Sequence, residues 1–227
     1  MIDISTIENK IINADCMDIL KQLPDKCIDL VLTDPPYGIN ASSKTFMRCG
    51  KQTGKSKCVS GLNYKPSSWD NKTPEKEVFN EIFRVSKNQI IFGGNYFVEY
   101  LKNSPCWIVW DKHNGDNLYA DCELAYTSFN TAVRQYDFIW HGMIQQNMKN
   151  KEKRIHPTQK PADLFGQILR DYSNENDLVL DCFSGSGTTA IACHRLKRKF
   201  ICIEKDKDYW EASVKRLEDE QRQGVLF

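Results

Sequence analysis

The sequence predicts one α/β domain built around a mostly parallel β-sheet. Short apolar segments alternate with amphipathic segments along the chain, which is typical of this fold class. Of the 227 residues, 41% are hydrophobic and 27% are charged, which is the balance of a globular protein with a full core. The length fits a single domain spanning residues 1–227.

The predicted strands are short and rich in Val, Ile and Leu, as expected for strands buried on both faces. They are expected at residues 28–33, 89–92, 107–110, 178–181 and 200–203. Apolar residues recur at helical spacing between them, and the predicted helices span 74–85, 161–172, 188–196 and 206–223. Pro74 suits the first turn of its helix, and Asp206 is expected to cap the last one.

Two segments, 38–71 and 111–155, do not follow this alternation. The first carries six basic residues and no acidic one between positions 41 and 66, so we expect a mobile basic loop. Such a loop is typical of solvated surface, but it also suits contact with nucleic-acid phosphates. The phosphate-binding residues expected there are Lys44, Arg48, Lys51, Lys55 and Lys57. The second segment contains a predicted strand pair, 123–129 and 134–140, followed by a polar stretch.

The nine cysteines predict buried thiols and no disulfides, because their number is odd and no C-x-x-C occurs. The four histidines are not spaced as zinc ligands, so no metal site is expected. The sequence contains no run of about 18 apolar residues, so no membrane span is predicted. Since the N-terminus also lacks the features of a signal peptide, we expect a cytoplasmic protein.

The first motif that indicates chemistry is Asp34-Pro35-Pro36-Tyr37, directly after the strand predicted at 28–33. Ligands of open α/β sheets bind beyond the carboxyl ends of the strands, so this turn has the position of a site. Two prolines stiffen the turn. The carboxylate of Asp34 and the carbonyl of Pro35 are acceptors for an amino group, and Tyr37 supplies a ring on which a base can stack.

The second motif runs from Asp181 to Thr189, with the sequence DCFSGSGTT, between a predicted strand and a predicted helix. Its glycines allow a tight turn and close approach to a ligand, and the helix N-terminus presents free N–H groups. Glu204 ends the next strand, where an acid can accept hydrogen bonds from ribose. This half-site fits a nucleoside cofactor, but its glycine spacing is also compatible with an NAD enzyme.

Together these motifs resemble those of the β-class amino-methyltransferases of DNA. Asp34-Pro35-Pro36-Tyr37 is similar to the catalytic motif of that family, and the loop after Asp181 is similar to its S-adenosylmethionine loop. Residues 156–161 (HPTQKP) resemble the stretch that precedes this loop, and residues 13–16 resemble the segment near the cofactor adenine. A looser likeness covers 123–127. The resemblance therefore covers residues 11–40 and 155–217, with the catalytic motif first and the cofactor loop last.

The resemblance implies a Rossmann-like S-adenosylmethionine-dependent methyltransferase fold, with helices on both faces of the sheet and a permuted order of its halves. The cofactor-binding residues that it implies are Asp15, Cys16, Lys160, Asp181, Phe183, Gly185, Gly187, Thr188, Thr189 and Glu204. Lys160 is the candidate partner of the methionine carboxylate, although an exposed lysine is equally compatible with its position. His156 is expected to cap or pack and to take no part in catalysis.

The implied reaction is methylation of N6 of an adenine flipped out of double-stranded DNA, with residues 111–155 as an inserted target-recognition region. Asp at the first motif position favours adenine within the family, and N4 of cytosine is the alternative. RNA as substrate, an NAD-linked oxidoreductase and a non-catalytic DNA-binding protein are further alternatives. A second copy of the chain, forming a homodimer, and a cognate restriction endonuclease are the two protein partners that the sequence leaves open.

Overall fold

The computed structural model of the chain describes residues 2–39, 70–114, 120–141 and 144–224. The basic residues expected to bind phosphate, Lys44, Arg48, Lys51, Lys55 and Lys57, lie outside these ranges. None of the described helices combines the length and the apolar character needed to cross a bilayer. The seven cysteines within the described ranges are all free thiols.

The described residues form strands and helices that alternate along most of the chain. The strands are β1 (Lys10–Asn13), β2 (Ile28–Thr33), β3 (Ser86–Phe92), β4 (Trp107–Asp111), β5 (Cys122–Thr127), β6 (Arg134–Asp137), β7 (Trp140–His141), β8 (Ile144–Gln145), β9 (Leu178–Asp181) and β10 (Lys199–Glu204). The helices are α1 (Cys16–Leu20), α2 (Lys76–Val85), α3 (Ala162–Tyr172), α4 (Thr188–Arg195) and α5 (Lys207–Gly224).

Eight of these strands form one sheet in the order β1-β10-β9-β2-β3-β5-β4-β6. Strand β5 runs antiparallel to both of its neighbours, and every other pair in the sheet is parallel. Strands β7 and β8 form a separate antiparallel pair. The predicted fold class, α/β with a mostly parallel sheet, is confirmed.

Alternate residues of the central strands enter two apolar cores, one on each face of the sheet. Leu30 and Leu32 of β2 pack in the core that includes α3, α4 and α5, whereas Val31 packs in the core that includes α1 and α2. All three side chains are buried, as expected for a parallel strand covered on both faces. In the first core the ring of Phe92 from β3 stacks on Phe165 from α3, with centroids 5.2 Å apart. Helices therefore cover both faces, as predicted.

All the predicted strands and helices are present, with bounds that shift by a few residues. Asp206 caps α5 as expected, because its carboxylate accepts the N–H groups of Asp208 at 2.9 Å and of Tyr209 at 3.2 Å. Strand β1 and helix α1 were not predicted. Strand β1 has four residues, of which only Ile11 is buried, so its sequence lacks the apolar run that identified the other strands.

The predicted pairing of 123–129 with 134–140 is wrong. Both segments contain a strand, but β4 lies between β5 and β6 and pairs with each of them. The side chains of Ile108 and Trp110 in β4 are buried. Because β4 lies between two strands, its buried backbone has a hydrogen-bonding partner on both sides. Residues 122–127 and 134–137 of the segment predicted as an insertion therefore belong to the central sheet.

Candidate active site

A cavity of about 1000 Å³ opens at the carboxyl ends of β1, β2, β9 and β10. Strands β2 and β9 are neighbours, but β2 continues towards β3 on one side and β9 towards β10 on the other. A crevice forms where neighbouring parallel strands connect in opposite directions, and ligands of α/β proteins bind there. Asp34 follows β2 and Asp181 ends β9, so the two sequence motifs meet at this crevice.

Asp181 fixes the loop between β9 and α4. Its carboxylate accepts hydrogen bonds from the hydroxyl of Thr33 at 2.7 Å, the hydroxyl of Thr189 at 2.6 Å and the N–H of Phe183 at 3.1 Å. Burial raises the pKa of Asp181 to about 6, and the three donors oppose that rise. The side chain thus ties the loop to β2 and to the first turn of α4.

Two further acids lie at the cavity edge on neighbouring strands. The carboxylate of Glu204 accepts the N–H of Gly185 at 2.7 Å and the N–H of Asp206 at 2.8 Å. Asp15 caps α1 through the N–H of Met17 and contacts the ammonium of Lys205 at 2.9 Å. The hydrogen bond from Lys205 lowers the pKa of Asp15, whereas burial raises the pKa of Glu204. Both acids thus lie at the edge of the cavity and hold the backbone of the turns that form it.

Most of the predicted cofactor-binding residues line this cavity. They are Asp15, Cys16, Lys160, Asp181, Phe183, Gly185, Thr188 and Glu204. Gly187 and Thr189 do not line it. Thr189 is buried behind the loop against Asp181, and Gly187 has a positive φ of 75° and packs against β1 and α5.

We expect the Gly187→Ala variant to lower the free energy of unfolding by about 1 to 3 kcal/mol. A Cβ at this position would lie 3.2 Å from Cβ of Ser213 and 3.3 Å from Cδ1 of Ile11, at a positive φ that L side chains disfavour. Urea denaturation measures the effect. The control is Gly166→Ala inside α3, where a Cβ makes only ordinary contacts at 3.9 Å and alanine is the better helix former. Equal stability of the two variants would contradict the packing role of Gly187.

The Asp34-Pro35-Pro36-Tyr37 turn places Asp34 at the wall of the cavity, together with Pro36. One oxygen of the Asp34 carboxylate accepts a hydrogen bond from the hydroxyl of Tyr37 at 2.6 Å. The other oxygen contacts the ammonium of Lys160 at 2.6 Å. Pro35 and Tyr37 do not line the cavity. The structure therefore brings the catalytic motif and the lysine of HPTQKP into direct contact.

Four charged side chains form a cluster around this contact. Lys160 also contacts Glu123 of β5 at 3.0 Å, and Glu123 contacts the ammonium of Lys112. The Lys160 side chain is 7% exposed and those of Asp34 and Glu123 are each 18% exposed, so the ion pairs are largely removed from water. Two carboxylates and two ammonium groups balance in charge, which satisfies the requirement that buried charges be paired.

Burial and neighbouring charges act differently on the two carboxylates. Burial raises the pKa of Asp34, the Lys160 ammonium opposes this, and the negative charge of Glu123 adds to the rise. Burial also raises the pKa of Glu123, but Lys160 and Lys112 together lower it to about 2. Glu123 therefore stays ionised, and Asp34 has the higher proton affinity of the two.

The ring of Tyr37 is held between the strand ends and a short turn after β3. It stacks on Tyr96 with centroids 4.8 Å apart and planes inclined by 13°, and Phe97 meets its edge. Gly93, with a φ of 67°, leaves room for the ring, because a Cβ there would lie 2.1 Å from Cε1 of Tyr37. Burial raises the pKa of the Tyr37 hydroxyl well above its usual value, so it remains a donor.

Several residues of this site were not predicted from the sequence, namely Lys112, Gly93 and Tyr96, and Glu123 was noted only within the looser likeness over 123–127. His156 lines the cavity and packs against Tyr209, with ring centroids 4.3 Å apart. Burial lowers the pKa of His156 to about 3, and the charge of Lys160 lowers it further, so the ring is neutral. This agrees with the packing role expected for it.

No metal site was expected, yet the structure brings Asp111, His113 and Asp137 together, with candidate ligand atoms within 4.8 Å of one another. A carboxylate oxygen of Asp111 accepts the N–H of His113, and the imidazole lies 3.2 Å from Asp137. His113 and Asp137 are exposed, and they pair with each other, so nothing in the cluster requires an ion.

Comparison with known proteins identifies the family. The family model described as DNA methylase matches residues 70–215. The type II methyltransferase M.HpaI of Haemophilus parainfluenzae is 30% identical over 255 residues, covering 94% of this chain and 76% of that protein. The type II methyltransferase M.HinfI of Haemophilus influenzae is 27% identical over 261 residues, covering 96% of this chain and 70% of that protein.

Solved structures share the fold. The M1.HpyAVI–SAM complex aligns with a TM-score of 0.55 at 24% identity, covering 92% of this chain and 98% of that chain. The cytosine-N4-specific PvuII DNA methyltransferase aligns with a TM-score of 0.56 at 16% identity, covering 94% of this chain and 91% of that chain. Since the family model spans more than half of the sequence and M.HpaI is similar over nearly all of it, the protein belongs to the DNA methylase family of the N6/N4 type.

Proposed function

We propose that the protein transfers a methyl group from S-adenosylmethionine to N6 of adenine in DNA. The observation that carries this proposal is the meeting of two motifs at one cavity. Asp34, the first residue of the Asp-Pro-Pro-Tyr turn, lines the same crevice as the glycine loop after Asp181. An acceptor for an amino group thus lies beside a loop suited to a nucleoside cofactor.

The residues of the cavity fit S-adenosylmethionine in size and in chemistry. A volume of about 1000 Å³ is large enough for a nucleoside cofactor and an inserted base. Glu204 would accept hydrogen bonds from the ribose, and Asp15 and Cys16 would lie beside the adenine. Bound S-adenosylmethionine supplies a methyl group on a sulfonium, which is an activated donor and needs no covalent enzyme intermediate.

The protein's own contribution to transfer is orientation and electrostatics. Asp34 and the carbonyl of Pro35 would accept the N–H groups of the target amine and turn its lone pair towards the methyl group. The same acceptors stabilise the positive charge that develops on the nitrogen. The ring of Tyr37 stacks on Tyr96 outside the cavity, so Tyr37 would act through its hydroxyl on Asp34 and not by stacking on the flipped base, as the motif first suggested. The loop around Gly185 would surround the methionine portion of the cofactor.

The choice of adenine rests on Asp34 at the first position of the motif. Incubation with labelled S-adenosylmethionine and unmethylated DNA, followed by digestion to nucleosides, tests it. We expect label in N6-methyldeoxyadenosine. Label in N4-methyldeoxycytidine would overturn the choice of base, and label in a parallel RNA sample but not in DNA would overturn the substrate.

We also propose that the basic residues between 41 and 66 bind DNA phosphates, and that residues 111–155 contribute to target recognition. We expect a shallower salt dependence when Lys44, Arg48, Lys51, Lys55 and Lys57 are replaced by Gln. The negative slope of log association constant against log salt concentration should decrease in magnitude by about 0.9 for each phosphate that the protein no longer neutralises. The measurement is DNA affinity by fluorescence anisotropy across a salt series.

The control for this prediction replaces Lys87 and Lys197 by Gln. Both are exposed and lie at the amino ends of β3 and β10, on the edge of the sheet opposite the cavity. We expect an unchanged salt slope for the control. An unchanged slope for the variant of the basic segment would contradict the proposed binding of phosphate.

A further inference from the structure

Asp34 is already occupied by two donors of its own chain. The hydroxyl of Tyr37 and the ammonium of Lys160 each lie 2.6 Å from one of its oxygens. A carboxylate engaged by an ammonium is a weaker acceptor for a neutral amine than one with free lone pairs. Each oxygen keeps a second lone pair, so the amine can still bind, and Asp34 becomes a stronger acceptor for it when these two donors have another partner.

Glu123 contacts both of the groups that occupy Asp34. Its Oε2 lies 3.0 Å from Nζ of Lys160 and 3.4 Å from the hydroxyl of Tyr37. Its other oxygen is held by Lys112. A small displacement of the ammonium or of the hydroxyl thus moves either donor from one carboxylate to the other.

We propose that Glu123 is a positioning residue that takes the Lys160 ammonium and the Tyr37 hydroxyl from Asp34 when the target amine binds. This inference rests on the proposed methyl transfer at Asp34. No covalent bond changes in the exchange: two hydrogen bonds to Asp34 are replaced by hydrogen bonds to Glu123 and by those of the amine. Lys160 stays paired throughout, so no buried charge is left alone.

The placement of Glu123 on a strand suits this role. Glu123 lies on β5, where it pairs in register with Trp110 of β4. Side chains alternate along a strand, so Lys112 projects to the same face as Trp110 and lies next to Glu123. The carboxylate is therefore fixed from both sides by a paired strand and a lysine, as a positioning group requires.

Electrostatics supports the exchange. Lys160 and Lys112 keep Glu123 ionised against its burial, with a pKa of about 2. Its charge is therefore available near neutral pH. The same charge raises the proton affinity of Asp34, so removal of Glu123 alters the pH at which Asp34 becomes protonated.

The test compares kcat and KM of Glu123→Gln, Glu123→Asp and Glu220→Gln with wild type across pH. Glu220 pairs with Arg195 on the outside of α4, so its variant controls for loss of an ion pair outside the site. We expect Glu123→Gln to lower kcat about 10- to 100-fold, with KM for S-adenosylmethionine within about twofold. Its acid limb of kcat should move to lower pH, because the pKa of Asp34 falls when a neighbouring negative charge is removed. Glu123→Asp should restore the position of this limb.

Two results would overturn the inference. One is a wild-type kcat in Glu123→Gln. The other is a lower kcat with an unshifted acid limb, which would mean that Glu123 serves the fold alone; thermal unfolding then shows the matching loss of stability. The comparison uses whichever methylated nucleoside the wild type forms. A cytosine product would overturn the proposed base while leaving the result for Glu123 decisive.

Discussion

We expect the Asp34→Ala protein to bind S-adenosylmethionine with nearly wild-type affinity and to methylate DNA about 1000-fold more slowly. The substitution removes the carboxylate that we propose orients the target amine and stabilises its developing charge. It leaves the cofactor loop intact, because Asp181 holds that loop through Thr33, Thr189 and Phe183. Lys160 retains Glu123 as a partner, which it then shares with Lys112. Isothermal titration with the cofactor and single-turnover methylation measure the two effects separately.

The matched control for Asp34→Ala is Asp29→Ala. Asp29 lies at the other end of the same strand, where it accepts the N–H of Leu178 at 2.9 Å and pairs with Lys87 at 2.6 Å. Its loss should lower stability by about 1 kcal/mol and leave the rate of methylation unchanged. If Asp34→Ala methylated DNA as fast as Asp29→Ala, the proposed role of the carboxylate would be refuted.

The second large effect is expected for Lys160→Met, which removes the cation between two buried carboxylates. We expect the free energy of unfolding to fall by about 3 kcal/mol near neutral pH. Glu123 keeps Lys112, but Asp34 loses its only described cationic partner. Burial and the charge of Glu123 then raise the pKa of Asp34, opposed by the hydrogen bond from Tyr37 but no longer by the Lys160 ammonium.

This variant should show a characteristic pH dependence. The folded-state pKa of Asp34 in Lys160→Met lies above its unfolded value, so the folded protein binds more protons. The stability of the variant is retained at pH values below about 4, the pKa of Asp34 in the unfolded chain. This stability is lost as the pH rises through the pKa of Asp34 in the folded variant. The deficit relative to wild type therefore grows between about pH 5 and about pH 8, and urea denaturation at these two values measures it.

The control for Lys160→Met is Lys199→Met, which breaks a surface pair with Glu8 at 3.1 Å. It should change stability by less than about 1 kcal/mol at either pH. A deficit of Lys160→Met that does not depend on pH would show that the lysine does not control the ionisation of Asp34. If cofactor affinity then fell about tenfold, the lysine would serve the methionine carboxylate, as the sequence motif first indicated.

The sequence predicts the half of the site that depends on contiguous residues. The Asp-Pro-Pro-Tyr turn and the glycine loop each follow a strand with an unbroken apolar run, so both strand and turn are recognisable from local chemistry. The meeting of the two motifs also follows from the sequence, because carboxyl ends of parallel strands share one edge of the sheet.

The other half of the site depends on strand order, which local chemistry does not determine. Glu123 reaches Lys160 only because β5 inserts antiparallel between β3 and β4. The sequence predicted β5 as the partner of β6 instead, which would remove Glu123 from the catalytic turn. Gly93 likewise carries no local signal, since the ring that requires its missing side chain, Tyr37, is 56 positions away in the chain.

The position of β1 has a consequence for the synthesis of the protein. Within the described sheet, β1 lies at an edge and pairs with β10 alone, and the bond from Asn13 to Glu204 spans 191 positions. Among the described strands, β1 is therefore synthesised first and is among the last to be paired. Until β10 has emerged from the ribosome, neither β1 nor the edge of β9 that faces β10 has its native partner. Such long-range pairing slows folding and leaves strand edges exposed, so a chaperone that binds nascent apolar segments should raise the yield of folded enzyme.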